Sequence, residues 1–418
     1  MRPWFDAWAA PGRLATRSRS TETEPVSGRS QAEADRERPA LEGAFRVDRS
    51  LRRVDADRLA TFFWSALMEL VVRAVDVGFG NTKYVAGVGG GKVGDIRCAS
   101  FPSRAYPSPR DPAKTLGADG RKTVAIPING LFYEVGPDVM LAADAFRATQ
   151  IHGDYTDTPQ YLALARGALR MMKVEAIDVL VVGLPVAAFA AKKAALEKLM
   201  TGRHDVGGGK VVTVRKALAM AQPNGALIDY ATQNDKVEAM EQEHSLVIDP
   251  GSRTFDWLVA RGMKLSHKQS HSVDRGVSNI LQLIADDVSL EIGKPYTNLD
   301  NIDLALRTGK GLTVYQRTYN IARMKPMVEI IAKEAVAAMA HRIGESYNVQ
   351  HVILVGGGAF LFKKAVKEAF ATHQILEVKD PMFANVRGYQ IAGTNYAYTA
   401  LQAAGRTLRS MQTEGGDA

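Results

Sequence analysis

Apolar positions in this chain follow two alternating periods. Leu70-Val71-Val72-Arg73-Ala74-Val75, Ile177-Asp178-Val179-Leu180-Val181-Val182-Gly183, Ser245-Leu246-Val247-Ile248 and His351-Val352-Ile353-Leu354-Val355 are short, nearly continuous apolar runs of the kind a buried strand needs. Further strands are predicted over 83–88, 93–101 and near Val211–Val214. Lys122–Ile128 and Leu131–Val135 flank Asn129-Gly130, a turn pair that closes a β-hairpin. Helical spacing predicts helices over 158–173, where Thr158-Pro159 gives a cap followed by proline, and over 186–200, closed by Gly202. Others are predicted over 275–289, 318–346, 360–371 and 388–404. Strands and helices alternating in this way define the α/β class.

One phrase occurs twice in this pattern. Asp76-Val77-Gly78-Phe79-Gly80-Asn81-Thr82-Lys83 follows the first strand, and Asp249-Pro250-Gly251-Ser252-Arg253-Thr254-Phe255-Asp256 follows the Ser245 run, about 170 residues later. Each reads as a hairpin with Asp-x-Gly at its turn, and the second turns again at Arg261-Gly262. Both halves thus open with hairpin strands followed by helix, a plan that suggests internal duplication.

Residues 1–67 break the pattern. They carry twelve arginines and no lysine, against twenty-one lysines and twenty arginines from Met68 onward, and periodicity is absent until Leu51. The stretch reads either as disordered or as upstream of a true translation start at Met68, which enters the first strand directly. The tail after Gly405 reads as frayed. The expected division is therefore 1–67 extension, 68–244 first domain, 245–404 second domain and 405–418 tail.

Bulk composition removes several function classes. A single cysteine, Cys98, excludes an intrachain disulfide and suits a reducing cytoplasm. The eight histidines show no metal-ligand spacing, and no run of 18 apolar residues suggests a membrane span. The net charge of +8 is spread without a dense Lys/Arg cluster or interleaved aromatics, so direct nucleic-acid binding is not expected.

The repeated hairpins hold the parts of a phosphate clamp. Gly78 and Gly80 let backbone N–H groups approach phosphate oxygens, and Lys83 adds a point charge. Asp76 repels phosphate and would act through Mg²⁺ and its waters. Asp249, Gly251 and Thr254 repeat the logic. Val355-Gly356-Gly357-Gly358-Ala359 is a strand, glycine turn and helix start that admits a nucleoside close to backbone. It is neither a Walker A loop, since no Gly-Lys-Ser/Thr follows, nor a dinucleotide fingerprint. Gln222, in Ala221-Gln222-Pro223-Asn224-Gly225, has no titrating group but is able to orient a water for attack on a terminal phosphate.

In this order, Asp76–Lys83, Asp249–Asp256 and Leu354–Ala359 resemble the phosphate-1, phosphate-2 and adenosine motifs of the actin/Hsp70/sugar-kinase superfamily. Gly183-Leu184-Pro185-Val186 resembles the first connecting motif. Asp380-Pro381-Met382-Phe383-Ala384-Asn385-Val386-Arg387-Gly388-Tyr389 resembles the end of ParM/StbA plasmid-segregation actins, and Val247–Gly251 with Thr254–Trp257 resembles protein D of PRTRC systems. The resemblance spans about residues 70 to 400. It implies two actin-like (ribonuclease H-like) domains around ATP and Mg²⁺, slow polymerisation-linked ATP hydrolysis, self-assembly into filaments, and an adaptor protein that binds the DNA. It further implies that Asp76 and Asp249 organise Mg²⁺, with Asp249 and Gln222 catalytic. Gly78, Asn81, Thr82, Lys83, Gly251, Ser252 and Thr254 would hold phosphates, and Gly356, Gly357 and Gly358 would border the nucleoside.

Pro250, Ser252 and Arg253 depart from the family pattern. Arg253 brings bulk and charge to a place where backbone approaches phosphate, with contact to the terminal phosphate or slower exchange as the two expectations. Two other readings compete. One is a sugar-kinase-like phosphotransferase, which would want an aspartate base where Gln222 stands. The other is a nucleotide-binding scaffold with little turnover.

Overall fold

A computed structural model of the protein describes residues 70–89, 95–111, 120–141, 155–345 and 348–414, with side chains to 404. Residues 1–67, and with them the expected start at Met68, lie outside the described residues. Leu70–Ala400 falls within one compact unit.

The first half runs β1 (Val72–Val77), β2 (Asn81–Val88), β3 (Ile96–Pro102), β4 (Tyr106–Ser108), β5 (Val124–Ile128), β6 (Leu131–Val135), α1 (Pro159–Met171), β7 (Ala176–Leu184), α2 (Val186–Met200), β8 (Gly202–Asp205), β9 (Val211–Ala221) and α3 (Gln222–Gln233). The second runs β10 (His244–Pro250), β11 (Phe255–Arg261), β12 (Lys264–Leu265), β13 (His271–Val273), α4 (Val277–Ile292), α5 (Leu299–Thr308), β14 (Leu312–Val314), β15 (Arg317–Tyr319), α6 (Lys325–Ile343), β16 (Val349–Leu354), α7 (Ala359–Ala369), β17 (Ile375–Glu377) and α8 (Ala384–Glu414).

Each half is built on one mixed sheet. The orders are β3-β2-β1-β7-β9-β8 and β12-β11-β10-β16-β17, with β13 also on β11. In both, an antiparallel hairpin (β1–β2, β10–β11) is extended by a parallel neighbour (β7, β16). This shared order gives physical form to the repeat seen in the sequence. It also explains the continuous apolar runs, because β1, β7, β10 and β16 are covered on both faces. Asn129 and Gly130 take φ of 50° and 80°, the left-handed pair a two-residue hairpin turn requires.

Several elements differ from expectation. The helix expected over 318–346 begins only at Lys325, and β14 and β15 stand before it. Their turn places Tyr315 and Gln316 at φ of 47° and 65°, residue types that carry no turn signal. Pro326 in the first turn of α6 marks the true start. Helix α5 stands outside the expected elements, although Asn298 caps it by accepting from the Asn301 N–H at 3.0 Å and Gly309 closes it at φ 66°. The last helix continues to Glu414, beyond the expected tail at Gly405.

The halves exchange helices. Ala226, Leu227, Tyr230 and Ala231 of α3 pack into a cluster with Val247, Leu258 and Ile353 of the second sheet. Val386, Tyr389 and Ala392 of α8 pack on Val72, Ala74, Val179 and Val181 of the first. The two helices therefore cross, and they meet at glycines. A Cβ on Gly388 would lie 1.8 Å from the Gly225 carbonyl oxygen, and one on Gly225 would lie 2.3 Å from the Asn385 carbonyl oxygen. Beside the crossing, Arg387 donates through Nη2 to Asp229 Oδ2 at 2.7 Å and through Nε to both carboxylate oxygens at 3.0 and 3.1 Å.

Candidate functional site

Strand pairing brings the repeated motifs together. Asp76 and Lys83 are direct partners across β1 and β2, so both side chains leave the same face. Lys83 Nζ donates to Asp76 Oδ2 at 2.9 Å, and Gln222, the first residue of α3, donates through Nε2 to Asp76 Oδ1 at 2.7 Å. Asp76 is fully buried. Period-two alternation sends Thr82 the other way, where its hydroxyl meets Ser103 Oγ at 2.9 Å; only its backbone remains for a ligand. Asn81 is exposed beside the turn, and Gly78 closes that turn by donating to the Asn81 carbonyl at 3.2 Å.

The second hairpin closes in the same way, with Gly251 N–H on the Thr254 carbonyl at 2.8 Å. Asp249 is 7% exposed and accepts from Asn385 Nδ2 of α8 at 2.7 Å. The glycine turn packs directly on this hairpin. Gly358 N–H donates to the Pro250 carbonyl at 3.0 Å, and a Cβ on Gly356, at φ 82°, would lie 2.1 Å from Asp249 Oδ1. Only glycine fits there. Gly357 stands more open, and its carbonyl accepts from Arg307 Nη1 at 2.9 Å.

The hairpin tips touch. A Cβ on Gly80 would lie 2.8 Å from Ser252 Cβ, and the Arg253 guanidinium sits 5.1 Å from the Phe79 ring centroid while pairing with Asp274 at 3.2 Å. Phe79 stacks in turn on Tyr155 at 5.2 Å. Arg253 thus bridges the two hairpins.

The charges act on one another. Burial disfavours the Lys83 ammonium, yet Asp76 and Asp249 outweigh it and hold its pKa above the ordinary value. Burial raises the pKa of Asp249, Lys83 and Asn385 oppose the rise, and Asp76 adds to it. The two aspartates and the lysine therefore form one electrostatic cluster drawn from both hairpins. The buried polar atoms without a protein partner among the described residues include Asn385 Oδ1, the Tyr389 hydroxyl and Asn224 Oδ1. Of these, the Tyr389 hydroxyl lies near Asp76, since both it and Asp76 Oδ1 would be 2.7 Å from a Cβ on Gly183. A hydrated divalent cation with phosphate oxygens fits an environment of carboxylates, unpaired polar atoms, a lysine and glycine backbone. No group of three or more His, Cys, Asp or Glu residues that could hold a metal ion occurs among the described residues.

Asn385, Tyr389 and Asp256 were not singled out by the sequence reading. Asp256 is 2% exposed, and burial pushes its pKa up to about 6 against hydrogen bonds from Ser272 and Thr254. Its signal lay in strand parity, since it stands two residues after Thr254 and so shares that residue's face.

Comparison with known proteins bears on the fold. A family model described as the actin like proteins N terminal domain matches residues 74–225, and one described as the archaeal actin homologue MreB-like, C-terminal, matches residues 247–368. Comparison with curated proteins gives no match. Among solved structures, the archaeal actin homolog Ta0583 aligns with a TM-score of 0.63 at 21% identity, over 78% of this chain and 100% of its own. The same homolog in complex with ADP aligns at 0.60 and 21%, over 77% and 99%. The apo pSK41 ParM protein aligns at 0.56 and 20%, over 80% and 99%, and a 15-stranded ParM filament from Clostridium botulinum at 0.61 and 16%, over 78% and 99%. These structural likenesses establish the fold. With both family models falling on the two sheet-centred halves in order, the chain belongs to the actin-like protein family.

Proposed function

We propose that this protein is a ParM-type actin-like ATPase that binds ATP with Mg²⁺ between its halves and assembles into nucleotide-dependent filaments that segregate plasmid or mobile-element DNA. The observation that carries the reading is the cluster of Asp76, Lys83 and Asp249, drawn from two equivalent hairpins onto one spot. Support comes from relatives on this fold, one solved with ADP and one as a filament.

In this reading residues 68–244 and 245–404 act as the two domains. Lys83 and the N–H groups around Gly78, Asn81, Gly251 and Ser252 hold phosphate oxygens, and Gly356 to Gly358 border the nucleoside. Asp76 and Asp249 hold Mg²⁺ through water, and the metal supplies charge neutralisation at the terminal phosphate. Gln222 orients the attacking water. Contacts that differ between ATP and ADP shift the balance between domain arrangements, and filament contacts select one of them. A DNA-binding adaptor links the filament to its cargo in the cytoplasm, in the manner of PRTRC or StbA systems.

One observation favours a second reading, a scaffold with slow turnover. Gln222 gives one of its two amide N–H bonds to Asp76, and its amide does not titrate and so is no general base. High-speed sedimentation with ATP, ADP and a non-hydrolysable analogue separates the two. Nucleotide-dependent pelleting supports the filament, and no pelleting under any nucleotide removes it.

A further inference from the structure

Helix α2 begins without a cap of its own. Pro185 occupies the N-cap position and offers no side-chain hydrogen bond. The first N–H groups of a helix need acceptors, and here the second half supplies them. The Val186 N–H donates to the Asp256 carboxylate, and the Ala187 N–H donates to Ser272 Oγ at 3.3 Å. Ser272 Oγ in turn donates to Asp256 Oδ1. A buried anion from β11 and a hydroxyl from β13 thus cap a helix that belongs to the other sheet, with the helix dipole favouring the pair.

The other oxygen of the carboxylate is engaged as well. The Thr254 hydroxyl donates to Asp256 Oδ2. Thr254 lies in the phosphate-2 hairpin, and its hydroxyl has one proton to give. An ionised carboxylate only accepts. The Thr254 proton therefore points to Asp256 or to a phosphate oxygen, not to both.

We propose that Thr254, Asp256 and Ser272 form a link that reports a terminal phosphate to the contact between the halves. This rests on the nucleotide reading above and deepens it. When the Thr254 hydroxyl turns to a terminal phosphate, Asp256 keeps the Val186 N–H and Ser272 as donors, and its charge is held by the α2 N-terminus and the Ser272 hydroxyl that also caps that helix. Hydrogen bonds to a charged acceptor strengthen when a competing donor leaves. The contact between the halves tightens only with the terminal phosphate present, so Asp256 and Ser272 are positioning residues for the ATP-bound arrangement.

Calorimetric titration of the full chain with the Mg²⁺ complexes of ADP and of the β,γ-imido analogue of ATP tests this. Expected is tighter binding of the analogue by the wild type. In Thr254→Val and Ser272→Ala that preference falls by about tenfold, the scale of one hydrogen bond to a charged group. Thr254→Ser retains it. A merely structural role would weaken both nucleotides equally. Correctly folded Thr254→Val and Ser272→Ala proteins, judged by circular dichroism, with an unchanged preference would overturn the link while leaving the nucleotide reading intact. A wild type that binds neither nucleotide would overturn that reading, and the link with it.

Discussion

Arg387→Leu tests how the halves are held together. Asp229 is fully buried, and the Arg387 guanidinium meets it through Nη2 at 2.7 Å and through Nε at 3.0 and 3.1 Å. Gln233 Nε2, at 2.7 Å, is the other side-chain donor to the carboxylate. Removing the guanidinium leaves a buried anion with that single donor, and breaking such a pair from one side costs about 3–5 kcal/mol. The cost depends on pH. Burial already raises the Asp229 pKa, and Arg387 opposes that rise, so its loss sends the pKa higher. A protonated Asp229 carries no unpaired charge, and the penalty shrinks as pH falls. Equilibrium urea denaturation of wild type, Arg387→Leu, Asp229→Asn and the double variant, at pH 8 and pH 5, reads both effects. The double variant is expected to recover much of the stability lost in Arg387→Leu. A loss of less than about 1 kcal/mol at pH 8, the scale of an exposed pair, would show that the contact does not hold the halves together. A penalty that grows as pH falls would contradict the role given to the Asp229 charge.

Three further outcomes are expected. Gly388→Ala puts a methyl 1.8 Å from the Gly225 carbonyl oxygen, so the crossing helices must separate; calorimetry should show destabilisation of at least about 1–3 kcal/mol, and an unchanged melting temperature would contradict the crossing. Asp256 has a folded pKa of about 6 against an ordinary 3.8, so the folded state binds the extra proton between those values and this group's contribution falls as pH rises through them. Over that window wild type should lose about 3 kcal/mol relative to Asp256→Asn, read by denaturation at pH 4 and pH 7; parallel pH profiles would argue against it. Arg253→Gly removes the bridge to Phe79, worth about 0.5–1 kcal/mol at an exposed site, so stopped-flow release of a fluorescent nucleotide should quicken about twofold to fivefold for ATP and ADP alike. A selective loss of ATP binding would show instead that the guanidinium reaches the terminal phosphate.

Much of this arrangement was legible because its parts are local. Asp76 and Lys83 lie across one hairpin, so strand parity alone places them together, and the doubly covered strands β1, β7, β10 and β16 announce themselves as apolar runs. What escaped depends on chain crossings. Asn385 reaches Asp249 over 136 positions, and Arg387 reaches Asp229 over 158. Neither contact leaves a periodic trace. Thr82 was assigned with its neighbours although parity turns its side chain to Ser103. The β14–β15 hairpin was hidden because Tyr315 and Gln316 hold a left-handed turn without glycine or asparagine.

In the proposed function, Asp76, Lys83 and Asp249 form a Mg²⁺–nucleotide site shared by the two halves. Equilibrium titration of the full-length protein with ATP, with and without Mg²⁺, tests it most directly when repeated on Lys83→Ala and Asp249→Ala. Expected is one site per chain that requires Mg²⁺ and is weakened at least about tenfold by either change, the scale of a charged hydrogen bond. No binding by the wild type, or equal binding by all three proteins, would contradict it.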